Sequence, residues 1–403
     1  DRVLLARDRV TRAVAWYEHG LARLEDRWPG MGARGDRFAG ADHLYAQDLD
    51  LFGEGSLFQL LSTAQTRAGE DTLATWLRTP ADRAEMESRQ QAARDLQPRV
   101  ALREQLATAG ADVRAAVHPT TLVEWATAPA MLHGVWPRIV SPPLGLLTAA
   151  LIVAWFTGAI GATVMLLALA ASAVFARQFQ ARTEPIMHAA AGPAHELTVL
   201  GRVCRVLRED TYASTRLSAL RASLETAGGE VDQVAARLQR LVELYDWQHN
   251  LIFKPFAALL FWELQCAFAV EAWRRRHGAA VSGWLQHVGE FEALSALGTY
   301  TYEHPADPFP ELADTDHPPV YEAEALAPPL IPAADAVTND ISLGEKPQVL
   351  IVSGSNMSGK TTLLRSVGVS AVMALMGAPV RARRLRLSPA TIGATLRIED
   401  SLQ

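Results

Sequence analysis

Cysteine is nearly absent from this chain: Cys204 and Cys266 are the only two in 403 residues. They lie far apart and in no metal-ligand spacing. That excludes a disulfide framework or a zinc module and fits a reduced, cytosolic setting. An excess of positive charge is also missing. Lys and Arg total 38 against 44 Asp and Glu, for a net charge of −6. This argues against a large DNA-binding surface, though not against a local one. The opening residues, DRVLLARDRV, are too charged for a signal peptide, and without an initiating Met the N-terminus reads as cut. Asp48 and Asp50 hint at a calcium loop, but the remaining ligand positions are not filled.

Charge is missing altogether from residues 139–176. The run is too long for one span, which needs about 20 residues. Thr157-Gly158 divides it into two runs near the lower limit, so a hairpin of two transmembrane helices is expected. Arg138 precedes the run, and Arg177 and Arg182 follow it. The positive-inside tendency then puts both ends on the cytoplasmic side. A hairpin buried in a soluble core is the competing reading. It is disfavoured because all faces are apolar, whereas a soluble helix keeps one polar face. Residues 251–272 are also apolar but contain Lys254 and Glu263. They read as a buried or interfacial helix more readily than as another span, because interior charges are costly in lipid.

What is present begins with size and apolar content. Half the residues are hydrophobic, which gives ample core, and the length suggests two or three domains. Residues 3–24 are amphipathic, and a glycine-rich break follows from Gly30 to Gly40. Ser56 with Gln59 is a candidate capping box for the next helix. Two apolar stripes at helical spacing follow later. Leu217, Leu220 and Leu224 form the first; Val231, Val234, Leu238, Leu241 and Leu244 form the second. Such stripes mean packed helices.

The strongest chemical signal is GSNMSGKTTLLRS, starting at Gly354. It fits Gly, four residues, Gly-Lys-Ser/Thr. Glycines let backbone N–H groups turn inward around a phosphate; Lys360 reaches the β- and γ-phosphates; Thr361 offers a hydroxyl to Mg²⁺. The flanks agree. QVLIVS, residues 348–353, reads as a buried parallel strand. A helix is expected after the loop, stopping at Gly377 with Pro379 just beyond. Strand, loop and helix N-terminus together make an anion site. The candidate nucleotide-binding residues are Gly354, Ser355, Asn356, Met357, Ser358, Gly359, Lys360, Thr361 and Thr362.

The inner residues, SNMSGKTT, resemble the phosphate loop of the MutS family of mismatch-repair ATPases. The resemblance continues in PPLIPAADAVTNDISL before the loop and in GAPVRARRLRLSPATIGATLRIEDSLQ after it. Farther back, Thr66-x-x-Gly69, Leu73-x-x-Trp76-Leu77 and Arg89-Gln90 look like the start of that family's helical core. WLQHVGEFEALSALGTYTYEHP, from Trp284, looks like the core's closing helix. There are departures. Ala336 stands where many members carry an aromatic that stacks on adenine, and Pro328-Pro329 replaces a His-Pro pair. No mismatch-reading N-terminal domain is recognisable. Phe261-Trp262-Glu263 matches that domain's wedge literally, but it lies in an apolar run and reads as core.

The resemblance implies a fold: a mainly α helical core with long helical arms, followed by a C-terminally incomplete α/β P-loop NTPase domain. It implies this division of the chain. Residues 1–40 are an N-terminal helix and linker, and 41–138 the first half of the core. Residues 139–178 are the hydrophobic hairpin of a membrane-associated subgroup. Residues 179–302 are helical arms and the second half of the core; 303–335 are a Pro- and acid-rich linker; 336–403 are the first half of the ATPase domain. It also implies ATP and Mg²⁺ as cofactors and a homodimer with composite nucleotide sites. The function implied is an ATP-driven conformational switch acting on double-stranded or branched DNA. The competing function is a membrane-tethered, nucleotide-dependent scaffold or switch that does not touch DNA. A transporter fits less well, since one hairpin is too small for a pathway.

An NTPase also needs an acidic residue at the end of a neighbouring strand. No run of four apolar residues ending in Asp-Glu follows the loop. Glu399 and Asp400 follow ATLRI and do not read as that pair. The chain is therefore expected to lack the hydrolytic half of the domain. Arg381, Arg383, Arg384 and Arg386 form a dense basic cluster. A solvated strand face is the favoured reading over a contact to a phosphate backbone.

Overall fold

The computed structural model describes residues 2–40, 43–132, 134–226, 229–250, 252–313, 318–355 and 359–395. It is mainly helical. In chain order the helices are α1 (Arg2–Leu24), α2 (Leu57–Leu61), α3 (Arg67–Arg78), α4 (Arg83–Leu96), α5 (Val100–Ala116), α6 (Pro119–Thr127) and α7 (Trp136–Phe156). There follow α8 (Ala162–Glu209), α9 (Thr215–Ser223), α10 (Val231–Asp246), α11 (Lys254–Leu259), α12 (Trp262–His277), α13 (Val281–Glu303) and α14 (Lys360–Leu375). Strands β1 (Glu225–Thr226) and β2 (Gly229–Glu230) form a short antiparallel ribbon. Strands β3 (Glu311–Leu312), β4 (Tyr321–Leu326), β5 (Asn339–Leu343) and β6 (Arg384–Leu387) form one mixed sheet. Its order is β3-β6-β4-β5, with only β3 and β6 parallel. The chain divides into two compact units, one of residues 1–114, 206–223 and 286–403, the other of 115–205 and 224–285.

The first unit is built on polar start signals followed by apolar stripes. Ser56 caps α2 by accepting from Gln59 N at 3.2 Å. The reciprocal arm of the expected box is redirected: Gln59 Oε1 accepts from Gly55 N at 2.8 Å and Gly30 N at 3.2 Å. Thr66 caps α3 and Asp82 caps α4 in the same manner. Each such cap satisfies a backbone donor that would otherwise be orphaned, worth about 1 kcal/mol. Behind the caps Leu57, Phe58, Leu61, Leu73, Leu77, Met86 and Leu96 are buried, as are Phe291, Leu294 and Tyr300 in α13's later part. Burying each such side chain contributes roughly 1.5–3 kcal/mol.

The three short motifs singled out in the sequence each have a structural job here. Thr66 Oγ1 donates to Glu292 Oε2, and the N–H groups of Gln65 and Thr66 donate to the same carboxylate. Gly69 is required because a Cβ there would sit 2.3 Å from Glu292 Oε2. Arg89 lies over the Trp76 ring at 3.9 Å, bonds Glu85 at 3.0 Å and donates to Met376 O at 3.2 Å. Gln90 Nε2 donates to Pro310 O at 3.4 Å.

The expected linker, 303–335, contains β3 and β4. Proline and acid content conceals these strands, because the acids are cross-strand partners. Glu311 pairs with Arg384, Glu322 with Arg386 and Glu324 with Arg383. Opposite charges facing each other across strands stabilise pairing by a few tenths of a kcal/mol each. The basic cluster is thus the solvated strand face that the sequence favoured. Arg381 is spent as well, donating to Ile331 O at 2.7 Å.

In the second unit α7 ends at Phe156, and Gly158 turns with φ +75° before α8 begins at Ala162. The hairpin divides where Thr157-Gly158 predicted. The outward face stays apolar: Ile139, Leu146, Leu147, Val153, Phe156, Leu166, Leu167 and Val174 are exposed. Within the hairpin Thr148 and Ser172 share a hydrogen bond of 2.8 Å. Gly145 admits the backbone of Leu259, whose carbonyl oxygen would lie 2.0 Å from a Cβ at that position.

The apolar run around Phe261 is not one helix. α11 ends at Leu259, Phe261 is buried with φ +49°, and α12 starts at Trp262. Phe261 packs edge-on to Phe175 at 5.2 Å. The side chain is core, as expected, but at a break between two helices. In α10 the buried stripe is Val231, Val234, Leu238, Val242 and Tyr245, so Val242 and Tyr245 take the places assigned to Leu241 and Leu244. Arg274 is turned inward and buried, bonded to Glu271 at 3.4 Å and to Ala128 O.

Candidate functional site

The helix after the glycine-rich loop forms where its sequence signals place it. Gly359 takes φ +83°, a left-handed conformation that glycine adopts without cost, and Lys360 opens α14. No side chain caps this end, and the first turn carries no acidic residue. The N–H groups of the first turn have no intrahelical partner. Thr361 and Thr362 are exposed beside them. The arrangement is an open, positively polarised helix end.

Lys360 is folded back on its own loop. Its Nζ donates to Gly354 O at 2.5 Å and also to Ser355 O. Two carbonyls thus hold the ammonium at the mouth of the loop, in the role an anion's oxygens would take. Gly354, Ser355 and Gly359 are exposed around it. Asn356, Met357 and Ser358 lie outside the described residues, as do Glu399 and Asp400. Among the described residues no cluster of three or more His, Cys, Asp or Glu has the geometry of a metal site. Thr361, the expected metal-facing hydroxyl, is the second residue of α14.

The far end of α14 is closed firmly. Gly377, at φ +90°, donates to Ala374 O at 3.0 Å, and Ala378 N donates to Met373 O at 2.8 Å. This pair of bonds is the Schellman stop that Gly377 and Pro379 predicted. Mid-helix, Arg365 donates from Nε to Asp48 O at 3.1 Å, and its Nη1 lies 2.6 Å from Asp50 Oδ2. Asp50, which hinted at calcium, is this arginine's partner. Gly368 faces Leu49, which would lie 2.6 Å from a Cβ there.

Residues 348–353 depart from expectation. They pair with no strand among the described residues, and Val349, Leu350 and Ile351 are exposed. The β3-β6-β4-β5 sheet does not include this segment. Parallel strands occur where both faces are covered by other elements. Apolar content alone therefore cannot make 348–353 a strand. Ala336 is half-buried and is followed by an exposed Val337.

One buried titratable group was missed from sequence. Glu292 has its pKa raised to about 7 by burial, although Thr66 and the backbone at Gln65 and Thr66 donate to it. Its place in an apolar, closing helix was the available signal, since a carboxylate there needs dedicated donors.

No family model matches the chain. Comparison with curated proteins does find relatives. The endonuclease MutS2 of Thermus thermophilus is 43% identical over 84 residues, covering 21% of this chain and 11% of the relative. A probable DNA mismatch repair protein Msh6 of Drosophila melanogaster is 28% identical over 152 residues, covering 36% of this chain and 12% of the relative. The mismatch repair protein MutS of Thermosipho melanesiensis is 49% identical over 49 residues, covering 12% and 6%. Its curated homologues are MutS-family proteins. This chain spans about a tenth of the length of the relatives it matches. The likeness to MutS, MutS2 and Msh6 agrees with the loop and core motifs read from the residues.

Proposed function

We propose that this chain is the helical core and nucleotide-binding portion of a MutS-like switch, driven by ATP and acting on DNA. The observation that carries this is the α14 start. An uncapped helix N-terminus, a left-handed Gly359 and Lys360 held at the loop mouth suit a triphosphate. Lys360 would leave the carbonyls of Gly354 and Ser355 for the β- and γ-phosphate oxygens. Gly354 to Thr362 would wrap the phosphates, and Thr361 would face Mg²⁺. Bound Mg²⁺ would neutralise phosphate charge; the chain's own residues bind and orient. The curated relatives named for mismatch repair support DNA as the ligand of the complete protein. By the family's pattern it is a homodimer whose association tightens with ATP, which light scattering with and without ATP would test.

The hairpin α7 and the first part of α8 support a membrane anchor, with both soluble flanks on the cytoplasmic side. Both helices are long and apolar enough to cross a bilayer. The most apolar 18-residue windows are 17% and 6% buried, respectively. A core helix of a soluble protein would be mostly covered.

A second reading is favoured by one observation: β6 arginines 384 and 386 face glutamates rather than solvent anions. This suits a membrane-tethered, nucleotide-dependent scaffold that does not touch DNA. Filter binding with homoduplex, mismatched and branched DNA across a salt series separates the two. DNA affinity that falls linearly in log–log with salt supports the first, because phosphate contacts release counterions. No binding at low salt selects the second.

A further inference from the structure

The apolar run 251–272 has two fates in the second unit. Within α12, Leu264, Ala267, Phe268 and Val270 are buried. The stretch before α12 turns its large apolar side chains outward. Trp247 is 59% exposed, Ile252 81%, Phe256 57% and Leu260 39%. Phe256 and Leu260 stand one helical turn apart and so share a side. Ala257, on another side of α11, is buried. The inner surface of this stretch is packed: the Phe253 ring meets Trp247 at 6.5 Å and Trp262 at 5.3 Å, edge-on to both. Trp262 Nε1 donates to Leu244 O at 2.6 Å, so the chain returns to the end of α10 after its excursion through α11.

The excursion lies against the apolar hairpin. Gln265 Nε2 donates to Arg138 O at 3.3 Å and to Ser141 Oγ at 2.6 Å, and the Leu259 backbone fills the space beside Gly145. From Arg138 to Gly145 along α7, the neighbouring chain therefore runs back from Gln265 to Leu259. Seven residues of helix rise about 10 Å. The end of α11 thus sits about 10 Å along the hairpin from Arg138. At that level α7 itself exposes Leu146 and Leu147. Composition sets this stretch apart as well. Between Asp246 and Glu263 there is no acidic residue, and Lys254 is the one Lys or Arg.

We propose that the stretch from Trp247 to Leu260 lies in the lipid headgroup layer on the Arg138 side of the membrane, with Trp247, Ile252, Phe256 and Leu260 immersed. The inference rests on the reading of α7 and the first part of α8 as a membrane hairpin. The level set by Gly145 matches an interfacial element, whose apolar face sinks roughly 5–10 Å into the boundary between headgroups and chains. Tryptophan favours that boundary. Lys254 is exposed, and a lysine there keeps its ammonium in water by extending its stem. A protein-binding patch is bounded by a polar rim. This surface instead continues at Gly145 into the exposed leucines of the hairpin.

The test places a polarity-sensitive fluorophore on single cysteines in the full 403-residue chain. The chain is held in nanodiscs of phosphatidylcholine and phosphatidylglycerol, so that both faces meet the buffer. The sites are Phe256→Cys in α11, Leu167→Cys in the hairpin and Gln233→Cys at the start of α10, all exposed. Cys204 and Cys266 are buried, and the parent chain serves as the labelling blank. The quenchers are iodide in the buffer, a lipid with a nitroxide near its headgroup and one with a nitroxide near its chain end. The label at 256 is expected to emit at shorter wavelength than that at 233, to lose iodide quenching and to respond most to the shallow nitroxide. The label at 167 should respond most to the deep nitroxide, and that at 233 to iodide alone. If 256 is quenched by iodide as readily as 233 while 167 answers to lipid, the inference falls and the hairpin anchor stands. If 256 answers to no quencher, a protein surface covers it and the inference falls too. Strongest quenching of 256 by the deep nitroxide would replace the headgroup position with a deeper, re-entrant one. Iodide quenching at 167 would remove the anchor itself, and the inference with it.

Discussion

Thr66 Oγ1 donates to Glu292 Oε2 at 2.5 Å, joining positions 226 residues apart. The same hydroxyl oxygen accepts from Gly69 N at 3.1 Å, so one side chain caps α3 and fastens it to α13. The carboxylate it holds has a pKa raised to about 7 by burial, from an ordinary 4.5. The fold thus favours the neutral acid. Its stabilising effect is complete below about pH 4.5 and is lost as the pH climbs through about 7, a change on the order of 3 kcal/mol. Glu292→Gln should flatten that part of the stability profile. Urea unfolding at pH 5 and pH 8 checks it; a parent chain equally stable at both would refute the assignment.

Gly69→Ala should destabilise the first unit by about 1–3 kcal/mol. A Cβ there meets Glu292 Oε2 at 2.3 Å and Glu292 Cβ at 2.9 Å, and overpacking a filled site forces side chains from their minima. Thermal unfolding measures it. The double variant Gly69→Ala, Glu292→Ala should recover part of the loss.

Lys360→Ala should abolish ATP binding, since it removes the cation at the loop mouth. Thr361→Ala should weaken binding more with Mg²⁺ than without. Calorimetry reads both, and equal affinity in parent and Lys360→Ala would dismiss the loop as a nucleotide site.

The 403-residue polypeptide should bind ATP without appreciable turnover. Contacts that hold ground and transition states alike do not accelerate hydrolysis. Phosphate release above the level of Lys360→Ala would direct attention to Glu399 and Asp400. Hydrogen exchange should be fast across 348–355, which makes no strand pairing, and slow across the part of α13 from Phe291 to Tyr300, which is buried.

Expressed in a bacterial membrane, the chain should resist carbonate extraction, with residues before Trp136 and after Arg182 accessible to protease from the cytoplasmic side only. Recovery in the soluble fraction would make the hairpin a soluble element. A charge on the exposed face, Leu167→Arg, should reduce insertion, because arginine at bilayer depth costs about 2.5–3.5 kcal/mol on insertion scales.

How much of this was legible follows from what each signal depends on. Ser56, Gly158, Gly359 and Gly377 mark boundaries correctly because caps and left-handed turns are decided within a few residues. The segment 348–353 was misread because a strand is defined by its neighbours, which no window of six residues contains. β3 and β4 were hidden for the converse reason: Glu311, Glu322 and Glu324 look like solvent-facing linker acids until Arg384, Arg386 and Arg383 are brought opposite. Phe261 breaks a continuous apolar pattern at a left-handed residue that no glycine or asparagine announces. Glu292 went unread although its apolar helix hinted at it, because the donors that hold it, Thr66 and the backbone at Gln65 and Thr66, lie far away in sequence.

Helix α14 is secured along its length and bare at its start. Arg365 is tied to Asp48 O and Asp50, Gly368 rests on Leu49, and Met376 O is bonded by Arg89. Its first turn has no such tether. A load applied at Lys360 therefore meets a beam clamped from its second turn onward. Work done there cannot dissipate in free rotation of the helix. Were a ligand to load Lys360, the first side-chain anchor along the helix to take up that load would be Arg365 on the Asp48–Asp50 segment.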